Sequence, residues 1–327
     1  MADANEMIAV KNNNFNLILD TLKSSDEMTI SQISDATFLS VPTIKKTIDY
    51  CVKENMICES SIAPSTGGRK AKLFKICEDY AFAIYFAIDN NQLICRTENF
   101  KNVVCFNEKK DISVQNLKGE IDYFYKKIFE KYHKISLISI SLPCVVNDGK
   151  IVEWYYNSEF NDVDFKKYLE EKYKVAVILE NDMNLTVMSV CNKLENPFNS
   201  VVATLQFGHN GIGLGQMANG NVLKGHNGFA GEISFVSDIR KDIKSIRYCS
   251  KIVRNLIVFL NPEKIVFYRS ERQNRIDEIM AEAIKSLPKY AIPEVTISDN
   301  YLEDIFYGLK LASKDTLKID ISDIKLE

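Results

Sequence analysis

From Tyr80 onward, short apolar runs alternate with segments of helical apolar periodicity, and this alternation constrains the fold more than any other feature of the chain. Ala81–Asp89, Leu93–Thr97, Ile135–Leu142, Val175–Leu179, Ser200–Phe207, Lys264–Tyr268 and Glu294–Ile297 read as strands. Leu117–Tyr132, Phe165–Tyr173, the stretch around Ile246–Leu260, Arg275–Ser286 and Tyr301–Ser313 read as helices. Strands alternating with helices build mixed or parallel sheets covered on both faces, so the expected class is α/β.

The first 77 residues follow a different pattern. Phe15, Ile18, Leu19 and Leu22 give a first helix one apolar face. Thr29-Ile30-Ser31-Gln32 has the form of a capping box and opens a short second helix that buries Ile30, Ile33 and Ala36. Phe38 and Leu39 are expected to fill the turn. Ser40 caps a third helix whose Val41, Ile44, Ile48 and Val52 face inward, while Pro42, Thr43, Lys46, Thr47 and Tyr50 face outward with Lys45 beside them. Asn55 stands where such helices end in a left-handed residue. Met56–Cys58 and Leu73–Ile76 read as strands flanking the basic loop Pro64–Lys70. This order is that of a winged helix-turn-helix, in which the third helix enters the major groove. Pro42, Thr43, Lys45, Lys46, Thr47, Arg69 and Lys70 are the candidate DNA contacts. A protein-interaction module with solvated charges is the competing reading.

Charge supports DNA. The 327-residue chain carries a net charge of −3, yet Thr43–Lys75 holds seven bases against three acids. At this length two or three domains are expected. No signal peptide and no run of about 18 apolar residues is present, which points to a cytoplasmic protein with no membrane partner. The eight cysteines are scattered and none is spaced as CxxC, as for reduced thiols rather than disulfides or a metal site. No cofactor is implied.

Two clusters carry chemistry. Val175–Leu179 runs into Glu180-Asn181-Asp182-Met183-Asn184, and ligands of open α/β sheets bind at strand ends. Asn181 and Asp182 can bind vicinal hydroxyls of a polyol, or can simply cap a helix. The second cluster spans residues 208–231, which hold eight of the thirteen glycines. It allows close approach to a ligand, or a plain glycine-rich hairpin around Asn219-Gly220.

Together these segments resemble the ROK family (repressors, open reading frames and sugar kinases), in particular its regulators with an N-terminal winged helix. Asn227-Gly228-Phe229-Ala230-Gly231-Glu232-Ile233 is similar to the NGxAGEIGH signature. Glu180–Asn184 is similar to ENDAN, Gly211-Ile212-Gly213-Leu214-Gly215 to GTGIGxG, Leu260–Val266 to LNPExIV, and Thr66–Arg69 to the GGR wing. The resemblance implies a two-lobed actin-like, sugar-kinase (ribonuclease H-like) fold. The implied division is a winged helix over 1–77, a small lobe over 78–190 plus 300–327, and a large lobe over 191–299. It also implies that Asn181, Asp182 and Glu232, with Asn227 beside them, hold sugar hydroxyls; Asn157 and His226 are possible further contacts. In the family's kinases the residue matching Asp182 is the catalytic base.

The departures decide what is expected of this chain. The kinases' DxGGT phosphate loop is replaced by Asp89-Asn90-Asn91-Gln92-Leu93, without glycine, and the GG after LNPExIV by Arg269-Ser270. Phosphoryl transfer depends on positioning and charge stabilisation, so the chain is expected not to be an enzyme. The signature histidine is Phe235, no CxCGxxGC follows, and Pro143-Cys144 stands for Pro-Gly, so no metal is expected and the sugar's identity is open. The expected function is a DNA-binding regulator, a repressor of sugar metabolism, whose ROK domain senses a sugar or sugar phosphate. It would bind a double-stranded operator as a homodimer or tetramer. The alternatives are a sugar kinase with an accessory N-terminal module, and a DNA-binding protein whose cleft has degenerated.

Overall fold

The computed structural model describes residues 2–62, 71–154, 157–208, 211–235, 242–271, 273–314 and 316. The N-terminal unit comprises α1 (Ala2–Lys23), β1 (Met28–Thr29), α2 (Ile30–Thr37), α3 (Val41–Lys53), β2 (Ile57–Ile62) and β3 (Lys72–Ile76). Its sheet has the order β1-β3-β2, with antiparallel pairs. The capping box opening α2 is formed: the Thr29 hydroxyl accepts from the Gln32 amide while the Gln32 carboxamide accepts from the Thr29 N–H. Asn55 takes the left-handed conformation at φ 60°.

Five expectations for this unit are corrected. The core of α3 is the stripe Ile44, Thr47, Ile48 and Cys51, so Thr47, only 5% exposed, faces inward rather than toward a groove. Val41, one turn before Ile44, lies at the helix end beyond the core and is 51% exposed. Ala36 is exposed and Thr37 takes its inward place, its hydroxyl donating to the Ile33 carbonyl at 2.7 Å. Phe38 does not fill the turn: it caps α2 in the left-handed region at φ 58° and is 94% exposed. The outward-reading Tyr50 is half-buried, its ring edge-on to Phe15.

A first five-stranded sheet follows, built from β4 (Phe82–Asp89), β5 (Gln92–Asn99), β6 (Val104–Asp111), β7 (Ile135–Leu142) and β10 (Ala176–Asn181). Helix α4 (Leu117–Tyr132) precedes β7, and the hairpin β8 (Val145–Asn147) and β9 (Lys150–Glu153) with α5 (Phe165–Tyr173) precedes β10. The strand order is β10-β7-β4-β5-β6, parallel from β10 to β4 and antiparallel beyond. After α6 (Asp182–Asn192) come β11 (Val201–Gly208), β12 (Gly211–Ala218), β13 (Asn221–Val222), α7 (Ile246–Leu260), β14 (Lys264–Tyr268), α8 (Ile276–Ile284), β15 (Glu294–Ser298) and α9 (Tyr301–Ser313). Their sheet runs β13-β12-β11-β14-β15. In both sheets the order is third, second, first, fourth, fifth, so one βββαβ…β topology occurs twice.

Burial explains the uninterrupted apolar strands. Ile84, Phe86 and Ile88 of β4 pack with α4 and α5, whereas Ala83, Tyr85 and Ala87 on the opposite face pack with α6 and α9. Helices α6 and α9 lie between the two sheets and share one core with both; α7 and α8 cover the outer face of the second. Helix α6 crosses its neighbours at very short range. A Cβ at Gly215 of β12 would stand 2.0 Å from the Met183 carbonyl oxygen, and one at Gly308 of α9 would stand 2.2 Å from that of Leu185. The free cysteines form no disulfide among the described residues, and no helix there is long and apolar enough to cross a membrane.

Candidate functional site

The two sheets turn their β4–β5 and β11–β12 hairpins toward each other, and a cleft of about 800 Å³ opens between them. Its floor is the junction of β10 and α6. The Asn181 side chain caps α6, accepting from the Asn184 amide at 3.1 Å and donating to the Cys144 carbonyl at 3.1 Å. The capping reading of this residue is therefore observed, and one N–H and one lone pair of its carboxamide are left for a ligand. Asp182 is half-buried in the cleft, accepting from the Met183 N–H and from the Tyr301 hydroxyl, each at 2.8 Å. Burial, outweighing these two hydrogen bonds and reinforced by Asp89, pushes its carboxyl up to about 6.

That shift has a definite sign. A carboxyl whose pKa rises on folding binds its proton more tightly in the folded state, so stability is lost as pH rises from about 4 through about 6. Asp182→Asn is expected to flatten this dependence and raise the melting temperature at pH 7, read by thermal denaturation between pH 4 and 7. An unchanged slope would show that Asp182 does not titrate there.

The opposite wall is the glycine-rich loop. Gly228, Ala230, Gly231 and the half-buried Glu232 line the cleft. Gly231 needs its residue type: it sits at φ 106°, and a Cβ would lie 2.8 Å from the Leu214 carbonyl oxygen. Asn227, expected beside Asp182, is exposed and is not among the lining residues, because the chain turns outward before Gly228. His226 is also exposed. Asn157 is buried near Trp154, and its Nδ2 has no hydrogen-bond partner among the described residues. The buried Cys144 thiol is pushed up by burial and then by the charges of Asp182 and Glu232, so both carboxylates act on one point of the wall.

Several residues here were not singled out from sequence. Lys224 forms an ion pair with the buried Glu180, which also accepts from the Asn181 N–H and from Asn184 Nδ2; this ties the glycine loop to β10. Tyr301 opens α9 and reaches Asp182 across 119 residues of sequence. At the end that would hold a nucleotide, the Asn90-Asn91 turn keeps a hairpin geometry at φ 46° and 60° without glycine. Both asparagines line the cleft. Arg269, in place of the family's first glycine, pairs with Asp299 at 3.1 Å. Gly213 and Gly215 are packing residues: an added Cβ at either would collide with Met183 of α6.

The DNA candidates divide. Pro42, Lys45 and Lys46 are exposed on α3, Thr43 is half-buried, and Thr47 is turned into the core. Arg69 and Lys70 lie outside the described residues, as does the rest of the basic loop 63–70. Among the described residues no three His, Cys, Asp or Glu side chains come together as metal ligands; Cys249 is a buried thiol donating to the Ile243 carbonyl at 3.2 Å.

The cleft connects to the N-terminal unit. Glu303, a lining residue, accepts from Arg96 of β5 in a bidentate pair at 2.6 and 2.9 Å, and Arg96 lies over the Phe306 ring. Further along α9, Lys310 pairs with Glu98 at 2.9 Å. Just beyond β5, Phe100 lies under Lys23 of α1 and Lys101 pairs with Asp26 at 2.9 Å.

Residues 86–237 match the ROK family. The matched segment is a little under half of the chain. The chain is 21% identical over 244 residues to the xylose repressor of Bacillus spizizenii, covering 72% of this chain and 63% of that protein. The chain thus matches less than two thirds of that repressor's length. A glucokinase of Halalkalibacterium halodurans is 36% identical over 111 residues, 32% of this chain and 33% of the enzyme. A crystal structure of a ROK family transcriptional regulator, a homologue of the E. coli MLC protein, superposes with a TM-score of 0.66 at 15% identity, covering 94% of this chain and 98% of that one. At that identity the likeness establishes the fold, including the two-lobed sugar-kinase-like architecture.

Proposed function

We propose that this chain is a sugar-responsive DNA-binding repressor in which the ROK domain senses rather than phosphorylates. The observation that carries this is the composition of the cleft. Its floor keeps Asn181 and Asp182, facing Glu232, while its nucleotide end presents Asn90, Asn91 and the Arg269–Asp299 pair instead of a glycine cradle. Phosphate is held by converging backbone N–H groups that glycine leaves uncovered. Six carboxylates among the lining residues (Asp89, Asp182, Glu232, Glu271, Asp299 and Glu303) outnumber the two guanidinia paired with them, Arg269 and Arg96, which favours an uncharged sugar over a phosphate ester.

The xylose repressors among the relatives make D-xylose the first sugar to try. Thermal denaturation with pentoses, hexoses and their phosphates tests the reading, since a ligand of the folded state raises the melting temperature. The account expects a shift with at least one free sugar, lost in Asp182→Ala. Hexose-dependent ATP turnover would favour the second reading, a kinase, which the glucokinase match and the position of Asp182 support.

Regulation requires that the ligand bind one arrangement of the lobes better than the other. Helix α9 and β5 supply a route: Tyr301 and Glu303 stand in the cleft, and Lys310 and Phe100 stand at the N-terminal unit. Lys310→Met removes the Glu98 pair without touching the cleft. It is expected to leave sugar-induced thermal shifts unchanged and to weaken, by about five-fold, the effect of sugar on DNA affinity. An undiminished effect would exclude this pair from the route. The winged unit over 1–77 would dock an operator half-site through Pro42, Thr43, Lys45 and Lys46, as part of a symmetric homo-oligomer.

A further inference from the structure

The start of α3 and the turn before it form an exposed apolar tip. Phe38 is 94% exposed, Val41 51%, and Pro42 is exposed beside them. The two hydroxyls of this turn are engaged with each other: Ser40 Oγ and Thr43 Oγ1 are 2.9 Å apart, and Ser40 also accepts from the Thr43 N–H. No carboxamide or guanidinium stands among Phe38–Thr43. Lys45 and Lys46, both exposed, follow on the same short helix. Phe38 gives nothing to its own fold. It sits at φ 58°, where a side chain is strained, and glycine there would relieve the strain and remove the exposed ring.

We propose that this tip reads the 5-methyl groups of thymine in the major groove, with Lys45 and Lys46 on the flanking phosphates. The inference rests on the DNA-binding reading given above. Thymine methyl is the apolar group that base edges offer in the major groove, and side chains without free hydrogen-bonding atoms discriminate there by contact with it. The lysines supply the charge complement that draws such a surface onto duplex DNA rather than onto another apolar face. The operator recognised by this chain therefore carries thymines opposite the start of α3, and its specificity there is lost when the methyls are removed.

The test is selection of duplexes from a random library by the full chain, followed by resynthesis of the best duplex with deoxyuridine replacing thymine one position at a time. The expected result is a three- to five-fold loss of affinity at each of one or two adjacent positions. Phe38→Gly and Val41→Ser should weaken binding of the thymine duplex about ten-fold when combined and abolish the deoxyuridine effect. Phe38→Gly alone should melt no lower than the parent. Tight, sequence-preferring binding that ignores deoxyuridine at every position would overturn the inference and leave the regulator reading standing. Variants that change the sedimentation of the chain but not its DNA affinity would overturn it too, assigning the tip to a protein contact. Failure to select any sequence would overturn both readings together.

Discussion

Gly215→Ala is expected to destabilise the protein by about 4 kcal/mol, more than a typical point substitution. The added Cβ would lie 2.0 Å from the Met183 carbonyl oxygen and 2.6 Å from Thr204 Oγ1. Neither can yield cheaply. Met183 is in the first turn of α6, whose position is set by both sheets, and Thr204 is fully buried and hydrogen-bonded to Thr186 at 2.8 Å. Moving α6 away would also draw Asp182 from Tyr301, so the damage extends to the cleft. Gly211→Ala in the same glycine-rich strand is the control. It has a φ of 116° but open space around the added Cβ, so its cost is backbone strain alone, about 1–2 kcal/mol. Urea denaturation of the three proteins ranks them; equal losses at the two glycines would mean that α6 and β12 are not in close contact.

Removing the Asp304 carboxylate is the second large effect. Asp304 is 4% exposed and accepts from Ser189 Oγ at 2.6 Å, Lys193 Nζ at 2.5 Å and the Tyr268 hydroxyl at 2.7 Å. It therefore joins α9 to α6 and to β14 in the layer between the sheets. Asp304→Ala leaves two buried hydroxyls and an ammonium without their acceptor, and about 3–5 kcal/mol is expected to be lost. Lys193→Met should cost less than about 1 kcal/mol, because its side chain is largely exposed. The carboxylate is the centre of the network and the lysine its edge. Comparable losses from the two variants would contradict that assignment.

The parts of this fold legible from sequence are those where one physical rule acts alone. The boundaries of α4, β7, α5, α7, β14 and α9 follow from apolar periodicity. Helix α6 was foreseen only as a possible helix start at Asn181-Asp182, because it is buried on nearly every side, which erases the one-sided stripe that marks a helix. Strand β6 escaped notice for the opposite reason: it is an edge strand with four charged residues, Glu108–Asp111, and little apolar alternation. Thr47 was assigned outward on its polarity, yet its hydroxyl-bearing side chain falls in phase with Ile44, Ile48 and Cys51.

The cleft was legible in part. Asn181, Asp182 and Glu232 were marked by their motifs and do line one cavity, whereas Asn227, from the same signature as Glu232, does not. The glycine cluster was read either as room for a ligand or as a plain hairpin; Gly213 lines the cleft, and Gly213 and Gly215 both leave room for α6. The contacts that close the site, Tyr301 to Asp182 and Lys224 to Glu180, join residues far apart in sequence and have no local signature. The route from cleft to N-terminal unit depends likewise on side-chain pairs between β5 and α9, which are far apart in sequence.

The most direct test of the account is the affinity of the full chain for its selected duplex, measured by fluorescence anisotropy at fixed salt while free sugars are titrated, D-xylose first, without ATP. The account predicts a salt-sensitive complex whose dissociation constant rises at least five-fold with one of these sugars, and an Asp182→Ala variant that binds the duplex but no longer responds. A duplex affinity indifferent to every sugar, accompanied by sugar-dependent ATP hydrolysis, would contradict it.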